Sequence, residues 1–415
     1  MRVYHRNMLP RMLAKTIIKA TGTFPSVVLT GPRQSGKTTL LKQLFKESHD
    51  YFNLEDPAFR LQAFEDPVGL ISRLPKPVII DEIQYAPHLL ALIKADIDNN
   101  RNQNGRWLLT GSQQFSLMAG VTQSLAGRVA VLTLLPLSLL EVMGRGDDAL
   151  DPVDWLSSNT DKKRGEKTDN LAELLLRGFY PELVVEKKMD TNLWQGSYLA
   201  TYLERDVRQL EAIGDLNQFN TFVRACAVRT GQLLDLTDIS KEVGVALTTV
   251  TKWLSVLQAS YQVFLLQPYY RNLHKRLVKR PKLYFTDTGL AAYLAGFRDP
   301  KALRLNQYFG ALFETFIVNE VIKRFAGFGF NSPIYFMKTR DGQEVDLVVE
   351  QNGKINLLEI KSTATITPKH WSYLRLAVKE LSDKVGFAGL ISDSDSSYVL
   401  TEGLTNYSWR DWLAR

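Results

Sequence analysis

The chain has 415 residues, 45% hydrophobic and 23% charged, a composition that buries cores and excludes intrinsic disorder; at about 150 residues per domain it holds two to four domains. The formal charge of +7, with pI near 9.2, is spread so that no third of the chain is strongly basic. One cysteine, Cys226, excludes an intrachain disulfide and any CxxC zinc or redox pair.

No apolar run reaches membrane-spanning length: the longest, from Val129 to Met143, is broken by Pro136 and carries Glu141. The opening MRVYHRNMLPRML lacks the continuous apolar stretch of a signal peptide. A cytoplasmic protein is expected. Up to residue 145, short β-branched runs alternate with helical patterns and predict α/β architecture with a largely parallel sheet. Its strands are read at Val27–Thr30, Tyr51–Leu54, Val78–Asp81, Trp107–Thr110 and Val129–Leu134. Polar residues and breakers over 146–170 predict a linker or long loop.

Residues 171–300 read as mainly helical, with apolar spacing of three and four over Asn192–Ile213 and Gln218–Thr230. Thr237 is a candidate cap for a short helix, Gly244 sits in a turn, and Ala246–Ala259 reads as a second helix exposing Thr248, Thr249, Thr251 and Lys252. That pattern is a helix-turn-helix. Strand-like runs at Val263–Tyr270 and Leu283–Thr286 flank Arg271, Lys275, Arg276, Lys279, Arg280 and Lys282, six bases within twelve residues that include no acid. Such a β-wing suits a phosphate backbone, and equally a solvated hairpin. Tyr269 and Tyr270 beside it either stack on bases or pack against the helix-turn-helix. From 301 to 415 an α/β pattern returns: a helix over Phe309–Phe325, strands at Pro333–Lys338, Glu344–Glu350 and Ile355–Lys361, a helix over Pro368–Leu381 and a strand near Val385–Ile391. The five histidines show no metal-ligand spacing.

GPRQSGKT, residues 31–38, matches G-x-x-x-x-G-K-[ST] between a strand and a helix. The glycines let backbone amides converge on phosphate, Lys37 reaches the β- and γ-phosphates, and the Thr38 hydroxyl holds Mg²⁺. Gly31, Pro32, Arg33, Gln34, Ser35, Gly36, Lys37, Thr38 and Thr39 are expected to line the nucleotide site. In VIIDEIQ, buried residues deliver Asp81 to a strand end, where it orders the magnesium shell, and Glu82 is a candidate base for attacking water. WLLTGS leaves Thr110 and Ser112 at a polar tip, where one of them could contact the γ-phosphate or the attacking water in a sensor role. Arg128, in SLAGRVAVL, either reaches a neighbouring subunit's nucleotide or forms a surface salt bridge.

GPRQSGKTTL, VIIDEIQ, LLTGSQQF and SLAGRV together resemble the uncharacterised prokaryotic AAA-type ATPases that carry a C-terminal domain of unknown function. RGFYPE, YLERDV and KLYFTDTGLAAYL extend the resemblance through the middle region. It implies ATP as the nucleotide and leaves homo-oligomerisation open.

The C-terminal region gathers carboxylates. Glu314 lies in GALFETFIVNEVI, Asp346 in EVDLVVE, and Glu359 and Lys361 on one face of INLLEIKS. The Asn-Gly pair in QNGK predicts a tight hairpin that brings Asp346 and Glu359 together. The two carboxylates, with the Ile360 carbonyl, would make an oxygen-rich Mg²⁺ site, and Lys361 would orient water or offset phosphate charge. This order resembles the PD-(D/E)xK nuclease superfamily, although Asp346 follows Glu344-Val345 where many members have proline. The resemblance implies a restriction-endonuclease-like fold acting on DNA, with an inactive docking fold as the alternative.

Overall fold

The computed structural model describes residues 9–112, 124–157, 170–203, 215–269, 278–339 and 341–415. The chain divides into two units, one built on the residues up to Leu137 and one on most of those from Ser138 onward. Among the described residues no helix is long and apolar enough to cross a membrane.

In the first unit the five β-branched runs form β1 (Ser26–Thr30), β2 (Asp50–Asn53), β3 (Val78–Asp81), β4 (Trp107–Thr110) and β5 (Val129–Thr133). They make one parallel sheet in the order β2-β3-β4-β1-β5. Neighbouring residues face opposite sides, so Val28, Ile80 and Leu109 enter one core while Leu29, Ile79 and Leu108 enter the other. Burial on both faces is what a parallel sheet demands, and it explains why these strands read as continuous apolar runs. The order leaves the carboxyl ends of β1 and β3 on either side of β4, where a ligand crevice forms.

Among the described residues the second unit is built on nine strands. These are β6 (Gln232–Leu233), β7 (Val263–Pro268), β8 (Lys282–Phe285), β9 (Ile334–Lys338), β10 (Glu344–Gln351), β11 (Lys354–Lys361), β12 (Val385–Ser392), β13 (Tyr398–Thr401) and β14 (Leu404–Ser408). Their order is β13-β14-β12-β11-β10-β9-β7-β8-β6. β7 runs parallel to β9, with Gln267 opposite Tyr335, so the sheet continues across residue 300, where the sequence suggested a boundary. The helix Tyr308–Gly327 lays Phe313, Phe316, Ile317 and Val321 into the main core of this unit. Asn352 and Gly353, at φ 51° and 75°, turn β10 into β11 as the Asn-Gly pair predicted.

Three expectations are corrected. Residues 146–157, expected as a linker or long loop, carry a 3₁₀ turn at Gly146–Asp148 and a helix at Pro152–Ser157: Trp155 is buried, packs at a tilt against Trp412 with ring centroids 4.3 Å apart, and donates to its carbonyl. Asp235, not Thr237, caps the helix Leu236–Val243, because its carboxylate accepts from the Thr237 and Asp238 amides. The helix expected over Pro368–Leu381 breaks at Trp371 into a 3₁₀ turn and the helix Ser372–Leu381. The helix-turn-helix pairs Leu236–Val243 with Leu247–Ala259 through Gly244 at φ 74°. Thr248, Thr251 and Lys252 are exposed and Thr249 is partly so.

Candidate functional site

The loop after β1 wraps tightly because glycine is required there. At Gly31, φ is 135° and a Cβ would stand 2.1 Å from the Leu134 carbonyl oxygen; Gly36 opens the helix Lys37–Phe45 at φ 93°. Lys37 is 5% exposed, and its ammonium donates to the Gly31 and Pro32 carbonyls at 2.9 Å each. The Ser35 hydroxyl is buried with no protein partner. An orphaned donor in a ring of backbone amides at a helix start fits a phosphate oxygen. Arg33 reaches the Tyr85 hydroxyl at 3.3 Å and Glu55 at 3.7 Å, while Gln34 and Thr39 are exposed. Arg11, which no motif signals, holds the loop from behind: its guanidinium donates to Ser35 O at 2.8 Å and Leu135 O at 2.6 Å.

Asp81 ends β3 facing this loop. Its Oδ2 accepts from Thr38 Oγ1 and from Tyr51 OH, each at 2.7 Å, and its Oδ1 accepts from Thr110 Oγ1. Glu82 follows in the left-handed region at φ 57°, and its amide donates to Thr110 Oγ1 at 3.0 Å. A non-glycine residue held there stores strain of the kind found at functional sites. The Glu82 carboxylate accepts from Gln84 and from Ser112 Oγ, the latter at 3.2 Å. The chemistry of this set, a hydroxyl beside a fixed carboxylate, suits a hard divalent cation on a triphosphate. Tyr51 and Gln84 join the site unannounced; Tyr51 depends on a strand pairing that no local pattern encodes.

Arg128 does not join it. It precedes β5, its carbonyl accepts from Ser26 at the opposite end of β1 from the loop, and its guanidinium forks onto Asp98 at 2.6 and 3.1 Å. Within the chain it makes the surface salt bridge that the sequence had left as one of two readings.

In the second unit the hairpin brings the C-terminal carboxylates together. Asp346 is buried and accepts from the Ile360 amide at 2.8 Å and from Lys361 at 3.1 Å. Lys361 also pairs with Glu359 Oε1 at 2.5 Å, and Glu359 Oε2 is buried without a partner. Burial pushes Asp346 upward, but Lys361, Lys282 and the Ile360 amide outweigh it and hold the carboxyl below its ordinary range. Burial and the neighbouring Asp346 push Glu359 well above its own. Burial pulls Lys361 down, yet both carboxylates outweigh that and keep its ammonium charged. Among the described residues no group of three or more His, Cys, Asp or Glu side chains is placed to hold a metal. Asp346 and Glu359, the latter with its orphaned oxygen, are thus the two carboxylates that this hairpin offers to any cation.

Glu314 is tied elsewhere. Lys282, read from sequence as part of the basic stripe, is 3% exposed and donates to Glu314 Oε1 at 2.8 Å and to Glu344. Tyr284 OH donates to the same Glu314 oxygen at 2.5 Å. Lys282 is thus an internal counter-charge and leaves the stripe; β8 is buried along its whole length. Lys279 and Arg280 are exposed, with Arg280 paired to Asp235. Arg271, Lys275, Arg276 and Tyr270 lie outside the described residues. Tyr269 is buried edge-on to Tyr335 of β9 at 5.5 Å, so it packs, but in the core of the sheet's C-terminal strands and not in that of the helix-turn-helix.

Residues 23–143 match the model of an AAA domain, and 168–301 and 309–414 match two domains of unknown function, DUF8612 and DUF4143. Uncharacterized proteins of Mycobacterium bovis and Mycobacterium tuberculosis are each 32% identical over 358 residues, 86% of this chain and 74% of theirs. Among solved structures, a Walker-type ATPase of Pyrococcus abyssi is similar at TM-score 0.46 and 17% identity, over 71% of this chain and 98% of that one. The RuvB Holliday junction branch migration motor of Thermotoga maritima is similar at TM-score 0.31 and 14% identity, over 62% and 89%.

Proposed function

This chain belongs to the family of its mycobacterial relatives, an AAA-type P-loop ATPase joined to two domains of unknown function, and on that premise we propose that ATP hydrolysis drives a DNA-directed machine with a phosphodiester-cleaving centre. The first unit binds and hydrolyses ATP. In this reading the amides of 31–36 and Lys37 hold the phosphates, Thr38 and Asp81 hold the magnesium shell, and Glu82 orients the attacking water, with Gln84 and Ser112 fixing its carboxylate. Magnesium supplies charge neutralisation on the β- and γ-phosphates.

The observation that carries the cleavage reading is the contact set of Lys361: one ammonium touching both Asp346 and Glu359, next to an unpartnered carboxylate oxygen. A divalent cation on the two carboxylates supplies Lewis-acid polarisation of the phosphate. Asp346 and Glu359 would hold the ion through their carboxylate oxygens, Glu359 through the one that has no partner. Lys361 places positive charge beside the scissile phosphate. The strand and helix order around these residues, one helix, a three-strand meander, a second helix and a parallel strand, supports a restriction-endonuclease-like fold.

Asp346→Ala and Lys361→Ala are each expected to abolish magnesium-dependent cleavage of DNA, assayed on single-stranded, duplex and branched substrates, and to leave ATP turnover intact. Cleavage unchanged in both variants refutes the reading. DNA is favoured as the substrate by the exposed Thr248, Thr251 and Lys252 and by the exposed Lys279 and Arg280. Reversing the charge of Lys275, Arg276, Lys279 and Arg280 is expected to weaken DNA binding and flatten its dependence on salt. A titration of labelled duplex at several salt concentrations measures both, and unchanged binding redirects the search to a protein partner. The second reading, an ATP-controlled switch without cleavage, is favoured by Lys282, which already neutralises Glu314 and Glu344. Under it every DNA substrate remains intact in the wild type.

A further inference from the structure

We propose that Tyr51, on the strand inserted between the two nucleotide motifs, is a positioning residue of the ATPase that sets its demand for magnesium by fixing the Asp81 carboxylate. Asp81 is 4% exposed and receives three hydroxyl donors. Thr38 arrives from the phosphate loop's helix and Thr110 from the neighbouring strand. Tyr51 comes from β2, where it pairs in register with Ile79, two residues behind Asp81, and its phenol reaches forward to donate at 2.7 Å. Two residues of strand rise by about 6.6 Å, a span that a tyrosine side chain covers and a shorter hydroxyl does not.

The ring is held in place. The Lys42 ammonium lies 3.5 Å from its centroid, on the outer side of the helix that begins with Lys37.

The chemistry follows from sharing one oxygen. Thr38 spends its proton on Asp81 Oδ2, which leaves the lone pairs of its own oxygen for a cation. That division holds only while the carboxylate stays in one torsion. Tyr51 on Oδ2 and Thr110 on Oδ1 clamp it there. Without the phenol Oδ2 gains a free lone pair and keeps only Thr38, so the carboxylate is held by a single donor on each oxygen and the aim of the Thr38 oxygen loosens. Loss of such a support costs about tenfold or more in metal affinity at sites of this design. The phosphate loop is not touched by Tyr51, so nucleotide affinity in the absence of metal is set elsewhere.

The test is Tyr51→Phe in the full chain, which keeps the ring and its lysine. Binding of a fluorescent ATP analogue is measured in EDTA and across a magnesium titration, alongside ATP turnover over the same titration. The expected result is unchanged affinity in EDTA, a smaller gain on adding magnesium, and a half-activating magnesium concentration raised about tenfold. Tyr51→Leu, which also removes the seat of Lys42, is expected to add a lower melting temperature to the same magnesium defect. A Tyr51→Phe protein whose magnesium midpoint matches wild type overturns the proposal. Equal loss of affinity with and without metal also overturns it, since the residue would then act on the loop's packing.

Discussion

Replacing Lys37 by alanine is expected to lower ATP turnover by about a hundredfold or more, the scale on which one charged or donor group aimed at a reacting phosphate or oxyanion contributes. The ammonium is buried inside the loop that it serves, donating to Gly31 and Pro32. Its charge thus sits where the β- and γ-phosphates would lie once the surrounding amides turn to them. The substitution removes that charge and leaves two carbonyls facing the phosphates, so binding weakens along with turnover. The helix after the loop keeps Leu40 and Leu41 in its core, so the fold survives. Calorimetry with magnesium-ATP and a phosphate-release assay measure both effects, with circular dichroism as the control. Lys37→Arg restores charge without the point geometry of an ammonium and is expected to remain far below wild type. A Lys37→Ala protein that turns over at the wild-type rate removes the nucleotide site from this loop.

What the sequence made legible was whatever a short window encodes. The phosphate loop, the strand that ends in Asp81, the Asn-Gly hairpin and the E-x-K alternation each depend on residues close in the chain, and local geometry fixes what they do. Asp81 could be named without knowing its neighbours, but Tyr51 could not, because its role depends on which strand lies beside β3. Arg11 is 24 positions from the carbonyl it holds on the loop. Lys282 was misread for the same reason: a run of bases without an acid looks solvated, yet its partner Glu314 lies 32 positions away on a helix. The linker was misread through its charges; Trp155 outweighs them by finding Trp412, 257 positions on. Strands β13 and β14 are short; β14 holds its place through pairing with β12, and β13 through pairing with β14, rather than through any period of their own.

Lys282→Ala is expected to destabilise the second unit by about 3–5 kcal/mol, the cost of breaking a buried ion pair and leaving one charge behind. Burial works against the Lys282 ammonium, but Glu314, Tyr284, Asp346 and Glu344 outweigh it and hold its pKa well above the ordinary value. The stabilisation from this lysine is therefore complete below the unfolded lysine's range, near 10.4, and is lost only as pH rises through the higher folded value. Glu314 is opposite in sign: burial pushes its carboxyl up and Lys282 is the main force holding it down. Without the lysine Glu314 takes up a proton more readily, and the neutral acid escapes most of the charge penalty. The loss of stability in Lys282→Ala should thus be larger at about pH 8 than at about pH 5. Urea unfolding of the full chain, followed through tryptophan emission, to which the second unit contributes every tryptophan but Trp107, reads mainly that unit at both values. The double variant Lys282→Met with Glu314→Leu is expected to recover most of the loss, because it removes the uncompensated charge and keeps the volume filled. Glu344 keeps Lys338 at 2.5 Å and so does not become the next unpaired acid. A cost that is independent of pH and persists in the double variant would assign Lys282 to packing alone, and the carboxylate cluster would then owe its arrangement to the hairpin and not to its internal cation.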